Sequence, residues 1–344
     1  MTEKLISDVV IIGGGPAGLY SCFYAGLRDL SVTLLEAQEE LGGRLSFYPE
    51  KFVWDIGALD ATQGIDVKKS LIKQANVFKP NIYLNTKVID VKKEDNIFRV
   101  IAENGREFFG RTILFATGGG IVQPKKIQAI LEEGTKEFIH YAFPPHRQIK
   151  DNHVIVSGGG DGAVDYAIEC QRFAEKVSLV YRGEKLKAME GQVKLFKENG
   201  GSVYTQTTIE KIQTATETNI SLTCQRKEKE EELTLEGSAL LVQHGYDRGE
   251  DFIHDLGFEF EKEEDYYLKC DKPTYTNQEG IYAAGDMISY DGKVYLLVGA
   301  FQDAAYAVNL IKTYLDPESY LYGRVSSHNE KFDDLNEVLL QEII

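Results

Sequence analysis

Two glycine runs hold the residues best able to do chemistry. In Gly13-Gly14-Gly15-Pro16-Ala17-Gly18 the spacing is G-x-G-x-x-G. The first glycine makes a tight turn, the second lets backbone amides approach a pyrophosphate, and the third allows close packing of helix on strand. Glu36 stands 23 positions after Gly13, where a carboxylate can bind both hydroxyls of an adenosine ribose. The second run, Gly158-Gly159-Gly160-Asp161-Gly162-Ala163, has the form G-x-G-x-x-A, and 23 positions after Gly158 stands Tyr181 instead of an acid. Without that carboxylate a 2′-phosphate meets no repulsion, and Arg182, Lys185 and Lys187 follow at once. Glu184 lies among them, and the alternative is that these are solvated surface cations.

Such runs need a strand before them and a helix after. DVVII (8–12) is an apolar, β-branched run, Leu19 to Leu27 is apolar and helix-compatible, and SVTLLEA (31–37) is a second buried-strand pattern ending near Glu36. The order strand, glycine turn, helix, strand recurs in residues 153–182. Two units of matched spacing predict an α/β chain with two Rossmann-like dinucleotide-binding domains. Between them lie a loop-rich stretch, a helical segment near 66–79 and strand patterns at 82–93, 97–102 and 106–116. RTILFATGGG then runs up to a glycine cluster. A strand meander follows the second unit, its charge run from Arg226 to Glu232 reading as a solvated hairpin tip. GIYAAGD (280–286), a long helix from Leu296 to Tyr314 and a tail with three aromatics complete the chain.

Composition narrows the function. Of the 344 residues 38 are basic and 54 acidic, a formal charge of −16, so a duplex nucleic-acid binder is disfavoured, and an anionic membrane surface with it. From Val9 to Leu27 no residue is charged, but five glycines and Pro16 make a turn and helix a better account than a membrane span. The cysteines, Cys22, Cys170, Cys224 and Cys270, form no C-x-x-C. That pattern, with no signal peptide, points to a reduced cytoplasmic setting and no metal site.

VVIIGGGPAGLY with Glu36, then ILFATGGG, then GIYAAGD resemble, in order, the FAD-binding elements of the two-dinucleotide-domain flavoprotein reductases. The resemblance implies a three-layer ββα fold whose FAD domain is discontinuous. Residues 1–120 and 270–344 would form it, with a C-terminal tail over the flavin, and 121–269 would form an NAD(P)H-binding domain. Thioredoxin reductases carry a C-x-x-C before the second glycine run. The corresponding YAFPPHRQIKDNHVIV has no cysteine, and disulfide exchange needs a thiolate. The bacillithiol-disulfide reductase type has a cysteine where this chain has Ala17. LGGRLSFYPEK and YDGKVYLLVGAFQDAAYAVN resemble flavin-surrounding segments of the thioredoxin-reductase-like ferredoxin (flavodoxin)–NADP reductases.

That family resemblance implies roles for particular residues. Tyr48 matches the tyrosine stacked on the flavin, Asp286 the acid bonded to the ribityl chain, and Arg44 a position near the flavin usually held by glutamine. Val88 and Val122 match positions touching FAD through backbone or packing, Gln302 the helix start near the pyrimidine, and Ser327 a hydroxyl near the reactive edge. The chain departs from the family in YRGEKLK, where the usual pattern is H-R-R-x-x-x-R. Arg182 is kept, Gly183 replaces an arginine, and Lys187 replaces another as a point charge without a bidentate fork. In the tail, Val325 stands where a stacking histidine is usual, with His328 three residues on.

The implied activity is that of a ferredoxin–NADP+ reductase, taking hydride from NADPH through FAD and passing single electrons to ferredoxin or flavodoxin. A homodimer is implied, and no catalytic side chain is nominated. NADH-preferring diaphorase or oxidase activity toward quinones or oxygen, and a flavin-bound redox sensor, are the alternatives. Because the carriers are usually acidic, a −16 chain repels them at long range, and a local patch at Arg44, Lys51 or Lys293 is the expected remedy.

Overall fold

The computed structural model describes residues 5–120, 122–227, 231–248, 253, 256–264, 267–323 and 325–343. The chain divides into two units. The first comprises Met1–Ser46, Lys51–Ile121 and Arg248–Ile344, and the second Phe47–Glu50 and Val122–Asp247. The chain thus returns to the first unit at Arg248 rather than at residue 270. Phe258 and Phe260 show why, since both pack on that unit's core, within 6.5 Å of Phe98 and 6.1 Å of Phe115 respectively.

In the first unit a parallel sheet runs in the order Asn81–Tyr83, Val32–Leu35, Ile6–Ile12, Glu107–Phe115, with Ile281–Ala283 beside Glu107–Phe115. Val9, Val10 and Ile11 are fully buried, as a strand covered on both faces must be. One cover is helical. Pro16–Leu27 packs against Gly64–Ala75 and the long helix Leu297–Leu315, whose buried residues recur at 300, 303, 304, 307, 308 and 311. The other cover is the antiparallel meander Val88–Glu94, Ile97–Ala102, Glu107–Phe115. Its Val91, Phe98 and Val100 meet Val10, Ile12 and Ile113 in one core. Three layers result, as the family resemblance implies.

The second unit repeats the plan with a purely parallel sheet in the order Ile139–His140, Ala239–Val242, His153–Ser157, Lys176–Val180, Ser202–Tyr204. Helices Asp161–Cys170 and Glu190–Glu198 cover one face through Ala163, Val164 and Phe196. The strands Thr207–Thr214, Ile220–Arg226 and Glu231–Gly237 cover the other through Ile212, Leu222 and Leu235. Arg226 pairs with Glu231 at the open end of that last hairpin, and residues 228–230 lie outside the described residues.

Candidate functional site

In the first unit the glycine loop is fixed by contacts that leave no room for side chains. Gly13 has φ +110°, and a Cβ there would overlap the carbonyl of Ala116; one at Gly18 would overlap the carbonyl of Gly13. Gly15 ends the turn as the helix N-cap with no side chain capping it, and Pro16 follows at the first helical position. Amides of that first turn therefore have no side-chain acceptor of their own and suit a phosphate. Ala17 is buried.

Glu36, only 8% exposed, closes the loop. Its Oε2 accepts the Gly14 amide at 2.6 Å and its Oε1 the Gln38 amide at 2.7 Å. Gly42 N–H donates to Gly14 O at 2.9 Å, so the chain six residues beyond Glu36 also ties back to the loop. Each carboxylate oxygen keeps further lone-pair capacity for a ribose hydroxyl. Thr86 N–H donates to Glu36 O at 2.8 Å, which sets Val88 two residues away, buried in the core.

The structure joins Arg44 and Asp286 to this loop. Gly43, which opens the short helical turn Gly43–Phe47, lies against Gly15, and Arg44 Nη1 stands 3.8 Å from Asp286 Oδ2. A Cβ on Gly285 would lie 3.0 Å from the Ala17 methyl, so the AAGD turn sits on the first turn of the helix. Gln302 is exposed on the long helix.

Sequence reasoning missed Asp303, fully buried at the next position. It accepts the Gly285 amide at 3.0 Å, the Tyr290 hydroxyl at 2.6 Å and Lys293 Nζ at 2.5 Å. Lys293 is therefore no part of a surface patch, because its side chain is 2% exposed and neutralises a buried carboxylate that could not otherwise be accommodated. The signal was present: position 303 falls on the apolar stripe of its helix, where an acid needs a partner.

Tyr48 lies, half-buried, in the segment 47–50 that belongs to the second unit. There Phe47 meets Tyr246 at 5.6 Å, and Glu50 accepts the His146 amide at 3.0 Å. Ser327 and Val325 are exposed, and Ser327 Oγ bonds His328 Nδ1 at 3.1 Å. The tail that follows docks at the C-terminal end of helix Pro16–Leu27, the end away from the glycine loop. Lys331 Nζ donates to Gly26 O at 2.7 Å, and the Phe332 ring lies 6.3 Å from Phe23 and 5.7 Å from Phe78. These contacts place that segment behind the loop and not over it.

The second unit builds its loop by the same plan. A Cβ at Gly158 would overlap the Gln243 carbonyl and press on Ala163, while Gly160 faces open space at the helix N-cap. Asp161 accepts the Met189 amide at 2.8 Å, so its carboxylate holds the segment after Lys187. Lys187 N–H donates to Gly159 O at 2.7 Å. Arg182 is exposed, and burial together with its charge pushes His244 below the ordinary histidine range; His244 Nε2 in turn meets Ser157 Oγ at 2.8 Å. Val122 begins the strand Val122–Pro124, and its side chain is outside the described residues.

All four cysteines are buried and none is joined in a disulfide. Burial pushes the Cys22, Cys224 and Cys270 thiols up to about 12, far from the thiolate that exchange requires.

Comparison with known proteins fits this geometry. Residues 7–307 match the family model described as pyridine nucleotide-disulphide oxidoreductase. A protein of Lysinibacillus sphaericus named ferredoxin–NADP reductase 3 is 40% identical over 98% of this chain and 97% of its own length. The ferredoxin–NADP reductase 1 of Bacillus mycoides is 36% identical over the whole of both chains. This chain belongs to the ferredoxin–NADP reductase family. The fold of that family extends to solved structures. A thioredoxin reductase of Streptococcus pyogenes superposes with a TM-score of 0.63 at 22% identity, over 91% of this chain and 99% of the other. The bacillithiol disulfide reductase of Bacillus cereus gives 0.58 at 18%, over 90% and 99%. Both share the ferredoxin–NADP reductase scaffold, whereas the thiols of this family member lie buried and outside any disulfide.

Proposed function

We propose that the chain is an FAD-dependent ferredoxin–NADP reductase that takes reducing equivalents from NADPH and delivers single electrons to ferredoxin or flavodoxin. The observation that carries this reading is the pair of glycine loops of opposite ligand chemistry in one chain that its ferredoxin–NADP reductase relatives match end to end. FAD, when bound, supplies the exchange between two-electron and one-electron chemistry. Around it the protein binds and orients. The first-turn amides after Gly15 hold the pyrophosphate, Glu36 the ribose, Asp286 the ribityl chain with Arg44 beside it, and Tyr48 a ring face. The residues present fit the group, since an uncapped helix start and a buried, hydrogen-bonded carboxylate are what a dinucleotide requires.

In the second unit Gly158, Gly160 and Ala163 shape the coenzyme turn, and Arg182 and Lys187 supply positive charge. Gly183, standing where the family has an arginine, favours a second reading, an NADH-preferring diaphorase. Among the described residues no helix is long and apolar enough to cross a membrane, and the reading places the protein in the cytoplasm. It also includes a homodimer, for which the exposed Leu335, Val338, Leu339 and Leu340 of the tail helix Asp333–Ile343 offer an apolar face.

Steady-state cytochrome c reduction by the FAD-loaded protein tests the proposal, with NADPH or NADH and with or without ferredoxin or flavodoxin. Strong dependence on the carrier with NADPH is expected. Rates indifferent to the carrier, or faster with NADH, select the diaphorase, and slow turnover with every acceptor selects a redox sensor.

A further inference from the structure

The two loops correspond offset by offset along the chain, and the second holds an aromatic ring where the first holds a carboxylate. In the first unit Glu36 is gripped by the amides of Gly14 and of Gln38, two residues on, and Gly42, six residues on, bonds back to Gly14 O. In the second unit the same offsets from Tyr181 give Gly159, Gly183 and Lys187. A Cβ on Gly159 would come within 2.5 Å of Tyr181 Cγ and 2.6 Å of Cε2, and one on Gly183 within 2.5 Å of Cε1 and 2.7 Å of Cζ. Lys187 N–H closes on Gly159 O as Gly42 does on Gly14 O. The ring is thus clasped between two glycines, and the backbone beneath it is anchored by Tyr181 N–H to Tyr204 O at 2.9 Å and by Gln206 N–H to Gly183 O at 2.9 Å.

Resting on the coenzyme reading above, we propose that Tyr181 and Gly183 are an interlocked, specificity-determining pair for the 2′-phosphorylated coenzyme. Glycine at 183 is required by the ring. The ring fills the slot from which an acid would grip the ribose 2′-hydroxyl. A phenol carries no charge at neutral pH and cannot accept two hydroxyls as a carboxylate does, so the 2′ position is left to the cations. Two of these stand at the loop: Arg182, exposed and next to Tyr181 in the chain, and Lys187, whose backbone is pinned to Gly159. On this account the family arginine is absent at 183 because any side chain there displaces the ring.

The test is calorimetric titration of the FAD-loaded protein with adenosine 2′,5′-bisphosphate and with 5′-AMP, fragments that differ only at the 2′ position. The wild type is expected to prefer the bisphosphate by tenfold or more. Tyr181→Glu should bring the ratio to unity or below. Gly183→Ala should weaken bisphosphate binding at least fivefold, yet change it less than twofold when added to Tyr181→Ala, since the clash then has no ring to act on. A ratio unmoved by Tyr181→Glu, or an equal effect of Gly183→Ala in both backgrounds, overturns the inference and leaves the coenzyme reading standing. Failure of the wild type to bind either fragment overturns both.

Discussion

The first unit secures its ligand turn with a buried carboxylate, whereas the second has a neutral ring at the matching position and leaves its loop carboxylate, Asp161, exposed. Glu36 and the Asp303–Lys293 pair lie in the interior of the first unit, each oxygen answered by an amide, a hydroxyl or an ammonium. The second places a phenol ring on its loop and keeps His140, His153 and His244 uncharged, burial pushing each below the ordinary 6.5, helped at His153 by Lys176 and at His244 by Arg182. One backbone plan therefore serves two electrostatic regimes. What is transferable between them is the hydrogen-bond register, and what is not is the response to charge removal and to pH.

The contrast is broken most forcefully at Asp303. Asp303→Asn leaves the Lys293 ammonium buried without its counter-charge and should destabilise the first unit by about 3–5 kcal/mol. Hydrogen exchange at the buried strand residues Val9–Ile11 in rising urea reports that unit, and exchange at Val154–Val156 should show the second unit unmoved. Replacing both partners, Asp303→Leu with Lys293→Met, should restore much of the loss; failure to do so would show that the Gly285 and Tyr290 bonds dominate.

Next in size is Glu36→Gln, which exchanges a charge-assisted acceptor of two amides for a neutral one, an effect of about 1.5–3 kcal/mol. The fraction of purified protein carrying flavin should fall sharply while nucleotide-fragment binding at the second loop stays the same. Full flavin occupancy would remove Glu36 from the site.

Acid distinguishes the units differently. Because the three histidines have folded-state values below 6.5, the unfolded chain binds more protons beneath that pH. Their contribution to the second unit is complete above about 6.5 and is lost as pH falls below it. The first unit's acids behave oppositely in range. Lys68 holds Glu40 below its usual value, and bonds from Ser31 and Arg111 hold Asp8 below despite burial, so their support persists until pH drops below about 4. Protection against hydrogen exchange, measured relative to the intrinsic rate at each pH, should therefore fall between pH 7.5 and 5.5 in the second unit and hold in the first. The smallest effect belongs to Arg44→Ala. Its pair with Asp286 is exposed and should alter stability by less than about 1 kcal/mol, with flavin retained; loss of flavin would show that Arg44 itself grips the cofactor.

Much of this was legible because it is local. The period-2 and glycine patterns placed both strand–turn–helix units, and the long helix expected from Leu296 to Tyr314 is found at Leu297–Leu315. The strand pattern at 82–93 proves to be two strands, Asn81–Tyr83 and Val88–Glu94, which lie at opposite ends of one sheet's strand order; alternation alone carries no mark of the break between them. Glu36 and Asp286 could be read from motifs. Asp303 could not be paired with Lys293 in advance, because a charge ten residues upstream across a loop has no helical spacing to betray it. The ring-and-glycine clasp at Tyr181 required three dimensions, for in the sequence Gly183 looks like the loss of an arginine and nothing more.

The strand Ile281–Ala283 pairs with Ile113–Phe115 only after the entire segment 122–247 has intervened. During synthesis the inserted unit thus has nearly all of its strands in hand while the host still waits for Ile281–Ala283, its Glu107–Phe115 flank open. Assembly order is written into the connectivity: the guest can mature on the ribosome, and the host completes its sheet last.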